Sequence, residues 1–547
     1  MTRPKSLLAV LVVTTVLGAA PPASASASSP PAVPRVAWSA CDDGFQCATV
    51  AAPLDYDRPR DAQIAISLIR LPAEQPTARI GSLLVNPGGP GGSGVDFVRI
   101  VGRQLPAGLR ARFDIVGFDP RGIYRSTPLR CFDTYEQAVA VLPPFPYPQT
   151  PAQEQVQRVS DDRLAAACAR HGGAILNHMS SADAARDMDL LRQMLGDRKL
   201  TYLGYSYGSL LGQNYANLFP DRFRALVIDG VVDPVAWVGT GARDVPVGTR
   251  IGSADGARRT LGEFFRLCDA AGPECAFSGG TARRYAALAA SLRRHPAVIV
   301  DPGTGEPATF TYNDLIAVTL GALYAADVWP DLARFLADVD AQVPPAALGE
   351  RLAALRTGLG LTADAVEDYP NDVEGSPGVA CSDTLNPRTL RPWQRAADAA
   401  ERRDGYFGRI WNWAWSACRA WPPTAGQDRR LGPWTARTSS PVLVVGNYFD
   451  PATRYQGAEA AARLLPHSRL LSYAGWGHAA YFIAGNACVD GQVTQYLVTG
   501  QAPPPGLVCQ PEGSPFDAAP AAQDVRVTGA LSAVTVPEAV RRAMRGS

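Results

Sequence analysis

Gly204-Tyr205-Ser206-Tyr207-Gly208 lies between a short apolar run, residues 200–203, and a helix-like segment, residues 209–219. A serine held on a sharp strand-to-helix turn has a strained backbone, and its flanking positions must be small enough for strand and helix to approach each other. Gly204 and Gly208 meet that need. The following helix aims unpaired N–H groups and the positive end of its dipole at the place where an oxyanion would form. The chemistry these residues could do is acyl transfer, with Ser206 as nucleophile.

A serine hydroxyl needs a histidine to take its proton and a carboxylate to orient the resulting imidazolium. The five histidines are His171, His178, His295, His467 and His478, and only the last three follow Ser206. His478 stands in Ala474-Gly475-Trp476-Gly477-His478 after a strand-like run, residues 469–473, in a glycine-bracketed turn that presents an imidazole at the strand's carboxyl end. His467 precedes that strand, at its other end, and His295 in Arg293-Arg294-His295-Pro296 reads as a solvated helix terminus. The acid is expected at Asp450, in the loop 446–453 after the buried-strand run 441–445. Asp229, at the end of the run 225–228, is the alternative. Ser206, Asp450 and His478 follow the chain order of α/β-hydrolases.

Upstream, Asn86-Pro87-Gly88-Gly89-Pro90-Gly91-Gly92-Ser93-Gly94 follows the strand-like run 82–85. From Gly89 it matches G-x-G-x-x-G, with Asp114 and Asp119 roughly where a ribose-binding acid could stand. Pro87 and Pro90 interrupt the turn a dinucleotide site requires, and the acyl-transfer reading uses the glycines differently, as bare backbone N–H donors to an oxyanion. Gly89 and Tyr207 are the expected donors, because Pro90 has no N–H. Asp119-Pro120-Arg121-Gly122 reads as a structural charged turn.

These residues must be positioned by a fold, and the periodicity indicates which. Strand-like runs at 64–69, 82–85, 113–118, 200–203, 225–228, 442–445 and 469–471 alternate with helical patterns, as in a mostly parallel sheet flanked by helices. One helix, residues 183–195, places Ala184, Met188, Leu191 and Leu195 on one face and stops at Gly196. Between 236 and 440 the strand pattern fades and helical periodicity dominates, so this interval is expected to be a helical cap inserted between two parts of a hydrolase core, 36–235 and 441–509. A tail, 510–547, carries one short helical pattern near 537–544.

Residues 1–27 have the parts of a secretory signal: Arg3 and Lys5, an apolar stretch, and small residues ending in Ala-x-Ala. That stretch is too short to span a bilayer comfortably, so a secreted product with no stable membrane anchor is expected. Ten cysteines, an even number, fit an oxidising compartment, and near neighbours suggest the pairs Cys41 with Cys47, Cys131 with Cys168, Cys268 with Cys275, Cys381 with Cys418 and Cys488 with Cys509. No C-x-x-C or H-E-x-x-H spacing occurs, so neither a metal nor another cofactor is expected. Net charge is +1 and arginines are interspersed with acids, which leaves no nucleic-acid footprint.

Taken together, the glycine loop 86–94, Gly204-Tyr205-Ser206-Tyr207-Gly208, Asp450-Pro451-Ala452-Thr453 and Gly477-His478 resemble the secreted actinobacterial tripeptidyl aminopeptidases, serine α/β-hydrolases related to prolyl aminopeptidases. The resemblance runs from Pro53-Leu54-Asp55-Tyr56 to Cys509. It implies an α/β-hydrolase fold with a helical cap, a Ser206–Asp450–His478 triad, and release of short peptides from free N-termini. After Gly122 the family tends to continue with a further glycine, whereas this chain has Ile123-Tyr124-Arg125-Ser126, which bears on substrate preference. Recognition of a substrate ammonium calls for a carboxylate near the nucleophile. The acid-rich stretch 367–374 and Asp383 are the candidates. Two other functions use the same fold: an esterase or lipase acting on small acyl esters, and a non-catalytic binding protein, which the intact Ser206, Asp450 and His478 argue against.

Overall fold

Leu83, Leu84 and Val85 are consecutive, and all three are fully buried. Side chains alternate across a strand, so such a run requires cover on both faces of a sheet. The computed structural model supplies that cover. It describes residue 1, residues 34–361, residues 369–517 and residue 540, and the elements below belong to one unit, Arg35–Ser547. The expected signal sequence apart from residue 1, the positions 367 and 368 of the acid-rich stretch, and the helical pattern near 537–544 apart from residue 540 lie outside the described residues.

The strands are β1 (Ser39–Ala40), β2 (Gln46–Pro53), β3 (Gln63–Leu71), β4 (Gly81–Asn86), β5 (Phe113–Phe118), β6 (Leu200–Tyr205), β7 (Phe223–Asp229), β8 (Ala297–Val300), β9 (Pro307–Phe310), β10 (Val442–Phe449), β11 (Ser468–Trp476) and β12 (Val508–Cys509). Ten of them form one sheet in the order β1-β2-β3-β5-β4-β6-β7-β10-β11-β12. Pairing is antiparallel from β1 to β3 and between β3 and β5, and parallel from β5 through β12. The order reverses around β4 and β6, so the loops after these strands open side by side at one sheet edge. That edge carries the glycine loop and Ser206.

Alternation assigns the two faces. Leu84, Tyr202, Leu226, Ile228, Val442 and Val444 join one core with Met188, Leu191 and Leu211. Leu83, Val85, Leu203, Val227, Leu443 and Val445 join a second core with Val95, Val98, Val489 and Val493. The helix Ser181–Leu195 is capped by Ser180, whose side chain accepts from Asp183 N, and it ends at Gly196 with φ +84°.

Between β7 and β10 the described chain is mainly helical, as its periodicity suggests, with its own core around Phe264, Tyr285, Leu315, Trp329, Leu336 and Leu352. It also holds the antiparallel hairpin β8–β9, which the sequence reading does not anticipate. Five disulfides join the cysteines in the sequential pairs. No helix among the described residues is long and apolar enough to cross a membrane. The first tail residues pack down: Asn486 Nδ2 donates to Gln510 O at 2.9 Å and the Phe516 ring lies 5.9 Å from that of Phe264.

Arg121, from the charged turn after β5, is a structural residue. Its Nε and Nη2 each donate to Asp187 at 2.7 Å, its Nη groups also reach the carbonyls of Pro53 and Leu54, and both charged side chains are 1% exposed. Removing one partner of such a pair strands the other charge in the interior. Arg121→Met is therefore expected to lower the unfolding free energy by about 3–5 kcal/mol in guanidinium titrations. Arg222→Met, which removes a half-exposed partner of Asp189, is expected to cost about 1 kcal/mol or less. Equal losses would contradict this reading.

Candidate active site

Ser206 connects β6 to the helix Tyr207–Leu218 with φ +54° and ψ −124°, a conformation that non-glycine residues rarely adopt. Its neighbours make the turn possible. A Cβ on Gly204 would stand 2.4 Å from Gly208 O, and one on Gly208 would stand 2.8 Å from Asn86 O. Ser206 N donates to Asp229 O at 2.8 Å, and Tyr202 Oη donates to Gly208 O at 2.9 Å, which ties the turn to β7 and to its own strand.

The glycine loop lies against this elbow. A Cβ on Gly88 would come within 2.8 Å of both Ser206 Cβ and Tyr207 N. Gly89, Ser206 and Tyr207 line one cavity, of about 140 Å³. Tyr207 is the first residue of its helix, so its N–H has no acceptor within the helix and is available to a ligand. The loop continues into the helix Gly94–Val101, whose N-cap Ser93 donates its hydroxyl to Asp119 at 2.6 Å. Burial pushes the Asp119 carboxyl up to about 6 despite that bond. Asp114 is taken by Arg70, Arg79 and the amide of Ala73. Both acids of the dinucleotide reading thus have structural partners.

Asp450 and His478 meet at the carboxyl ends of β10 and β11. His478 Nδ1 lies 2.9 Å from Asp450 Oδ1 and 3.0 Å from Oδ2, with both side chains at most 1% exposed. Asp450 Oδ1 also accepts from the amides of Ala452 and Thr453 at 2.8 Å, and Oδ2 from the Thr453 hydroxyl at 2.9 Å. These donors hold the carboxylate in place against the imidazole. His478 Nε2 is buried with no hydrogen-bond partner among the described residues. The ring is fixed from outside as well: His478 N donates to Tyr324 O at 2.8 Å, and the Tyr324 ring meets the imidazole edge-on at 5.0 Å between centroids. Asn447 Nδ2 donates to Gly477 O and Ala479 O, which shapes the turn.

Asp229, the alternative acid, has a different task. Its carboxylate accepts from Ala480 N at 3.0 Å and Tyr481 N at 2.7 Å, and so anchors the backbone just after His478. His467 Nδ1 lies 2.8 Å from Thr438 O, at the opposite end of β11, and His295 ends a helix.

Asp383 does not stand where an ammonium-binding role requires. It is 1% exposed and does not line the cavity. Its Oδ1 accepts from Ser181 N and Ser181 Oγ, each at 2.8 Å, and its Oδ2 from Tyr207 Oη at 2.8 Å and Trp237 Nε1 at 3.4 Å. With its acceptor sites taken, Asp383 braces Tyr207, the residue after Ser206. Of the acid-rich stretch, Asp372 lines the cavity, whereas Glu374 is buried and accepts from Tyr369 Oη.

Several lining residues escape the sequence reading: Asp161 from the helix Pro151–His171, and the tryptophans 411, 413 and 415. The alternation Trp411-Asn412-Trp413-Ala414-Trp415 is visible in the sequence but does not say what the rings line. Asp161-Asp162 reads as an ordinary charged pair, and only the fold buries the first while leaving the second 39% exposed. One cluster among the described residues has the donor atoms for a cation: His178, Asp183 and Asp428, within 4.8 Å of one another. Asp428 is already paired with His178 at 2.8 Å, and none of the three lines the cavity.

Comparison with known proteins agrees with this geometry. Residues 81–248 match the family described as alpha/beta hydrolase fold, and residues 404–509 match that described as TAP-like protein. Serine protease Hip1 of Mycobacterium tuberculosis is 32% identical over 483 residues, covering 85% of this chain and 87% of that one. Carboxylesterase B of the same organism is 34% identical over 516 residues, covering 90% and 93%. Tripeptidyl aminopeptidase of Streptomyces lividans is 30% identical over 480 residues, covering 86% and 84%.

The two acids should separate in mutants. Asp450→Asn is expected to lower kcat by about 10⁴, and Asp229→Asn, which keeps an acceptor for the two amides, by no more than about tenfold. The reverse ranking in steady-state assays would exchange their roles. Burial, reinforced by Asp450, pushes the Asp229 carboxyl up to about 7 against the pull of its two amides. An unfolded aspartate titrates near ~3.9, so the unfolded chain releases this proton first and the group weakens stability as pH rises from about 4 to 7. Wild-type unfolding free energy minus that of Asp229→Asn should fall across that window, and a flat difference would contradict the assignment.

Proposed function

Because the chain belongs to the tripeptidyl aminopeptidase-like family of serine α/β-hydrolases, we propose that it is a secreted exopeptidase that releases short peptides, tripeptides by the family's habit, from free N-termini. The observation that carries this reading is the composition of the cavity at Ser206. Its lining is largely apolar and aromatic, it includes two carboxylates, Asp161 and Asp372, and among the described residues it includes no arginine, lysine or histidine. Such a wall favours a cationic ligand over an anionic one, as a substrate with a free N-terminus demands.

Ser206 Oγ attacks the scissile carbonyl carbon while His478 Nε2 takes its proton. Asp450, hydrogen-bonded to Nδ1, fixes the tautomer that leaves Nε2 free to accept and stabilises the imidazolium. The N–H groups of Gly89 and Tyr207 receive the negative charge that develops on the carbonyl oxygen. The imidazolium then gives its proton to the leaving amine, the C–N bond breaks, and the shortened chain departs. A water, deprotonated by His478, attacks the acyl ester, and Ser206 Oγ leaves with the returned proton.

The segment 236–440 acts in this reading as a cap, supported by the lining residues it contributes on one side of the cavity, with the β5–β6 connection contributing Asp161 and Leu164 on another. Five disulfides support an oxidising destination. Hydrolysis of small acyl esters is the second reading, favoured by the carboxylesterase among the relatives, since the acyl-transfer machinery is the same.

Tripeptide p-nitroanilides with free and with N-acetylated termini test the proposal. A charge-assisted hydrogen bond to the ammonium is worth about 1.5–3 kcal/mol, so the free form should have a kcat/KM about tenfold to a hundredfold higher. Equal turnover, or faster turnover of the acetylated form, would remove the exopeptidase reading.

A further inference from the structure

The carboxylate of Asp161 is out of place for a structural residue. It lines the cavity at Ser206 and is only 4% exposed. Its Oδ1 accepts from Gln157 Nε2 at 2.9 Å, but its Oδ2 has no hydrogen-bond partner among the described residues. A buried acceptor left unsatisfied is unfavourable, the more so when it is charged, so an orphaned carboxylate oxygen calls for an explanation. The nearest charges do not supply one. Arg419 pulls on Asp161 electrostatically, yet it gives its Nη2 to Asp162 and to the carbonyl of Arg158. Desolvation prevails and pushes the Asp161 carboxyl up to about 7. Gln157, Ser416 and Arg419 pull the other way without prevailing, and no cation among the described residues is hydrogen-bonded to this acid.

The surroundings suggest the shape of the missing ligand. Trp411 and Trp413 line the same cavity, and their indole N–H groups are likewise buried with no acceptor among the described residues. A row of rings leads from there to the nucleophile: Trp411 to Trp415 at 6.1 Å, Trp415 to Trp237 at 5.3 Å and Trp237 to Tyr207 at 5.6 Å between centroids. The Asp161 end is joined to this row through Gln157, whose Nε2 also donates to Ser416 Oγ at 3.2 Å. One anionic acceptor, two neutral donors and an aromatic wall are complementary to the first residues of a peptide, with its ammonium, its carbonyl oxygens and its side chains.

Resting on the exopeptidase reading above, we propose that Asp161 is the residue that binds the substrate's terminal ammonium, with the indoles of Trp411 and Trp413 as donors to peptide carbonyls. The ammonium gives the orphaned Oδ2 its partner and holds the carboxylate ionised. Asp372, the other lining carboxylate, stands in the first turn of the helix Asp372–Asp383, where the helix dipole already stabilises its charge, so the assignment is to Asp161.

The test compares kcat/KM for free and N-acetylated tripeptide p-nitroanilides in wild type, Asp161→Asn and Asp372→Asn, with p-nitrophenyl acetate turnover reporting an intact triad. In the wild type the free form leads by about tenfold or more. In Asp161→Asn that ratio falls to within about twofold of unity because the loss falls on the free substrate, and continued p-nitrophenyl acetate turnover shows that the triad still acts. Asp372→Asn keeps the wild-type ratio. If the wild type shows no preference, the exopeptidase reading fails and this assignment with it. If the wild type prefers the free amine and Asp161→Asn retains that preference, or Asp372→Asn alone abolishes it, the assignment to Asp161 is wrong while the exopeptidase reading stands. Asp161→Ser, smaller and uncharged, is read in the same way should the asparagine variant fail to fold.

Discussion

The backbone of Ser206 is the constraint on which the rest of the site depends. A residue with a side chain at φ +54° is held there at a cost of about 1–3 kcal/mol, and the cost is met by packing that admits no Cβ at Gly88, Gly204 or Gly208. The glycine loop and the continuous β6–helix segment, from two parts of the chain, come within contact of one another only because those positions are bare. The strain has a purpose. It lifts the hydroxyl out of the strand and starts a helix immediately behind it, so Ser206 and the free N–H of Tyr207 are set by one turn.

Around that turn the site is assembled by hydrogen bonds from distant elements. Asp229, at the end of β7, contributes its carbonyl to Ser206 N and its carboxylate to the amides after His478, so one residue ties the nucleophile's turn to the histidine's. The segment between β7 and β10 takes part directly. Tyr324 O receives the His478 amide, Asp383 receives the Tyr207 hydroxyl, and a Cβ on Gly91 would come within 3.2 Å of Ser376. These contacts join that segment to the residues around Ser206 and His478. The disulfide Cys381–Cys418 closes a loop that carries Asp383 at one end and leads to the tryptophan run at the other.

Much of this was legible in the residues. The central strands announced themselves because they are buried on both faces and therefore continuous in apolar residues. Gly204, Gly208, Asp450 and the turn at His478 were legible because turn chemistry restricts what residues can stand there. The half-exposed strand β2, Gln46–Pro53, has no such pattern, and the hairpin β8–β9 is too short to stand out from the helices around it. Asp383 carried an acid's chemistry in the sequence, but only the fold shows its oxygens filled by Ser181, Tyr207 and Trp237. Asp161 is the converse: its neighbour is equally acidic, and burial alone distinguishes them. Strand and turn positions are set by local physics, whereas the purpose of a carboxylate is set by what remote segments bring to it.

The central claim is that His478, oriented by Asp450, takes the proton of Ser206. Mass mapping after treatment with a fluorophosphonate tests it most directly, since phosphonylation requires a serine whose proton is being removed. One adduct on the peptide bearing Ser206 is expected in the wild type, with labelling lost in His478→Ala. No adduct, an adduct on another serine, or undiminished labelling of Ser206 without the imidazole would contradict the account.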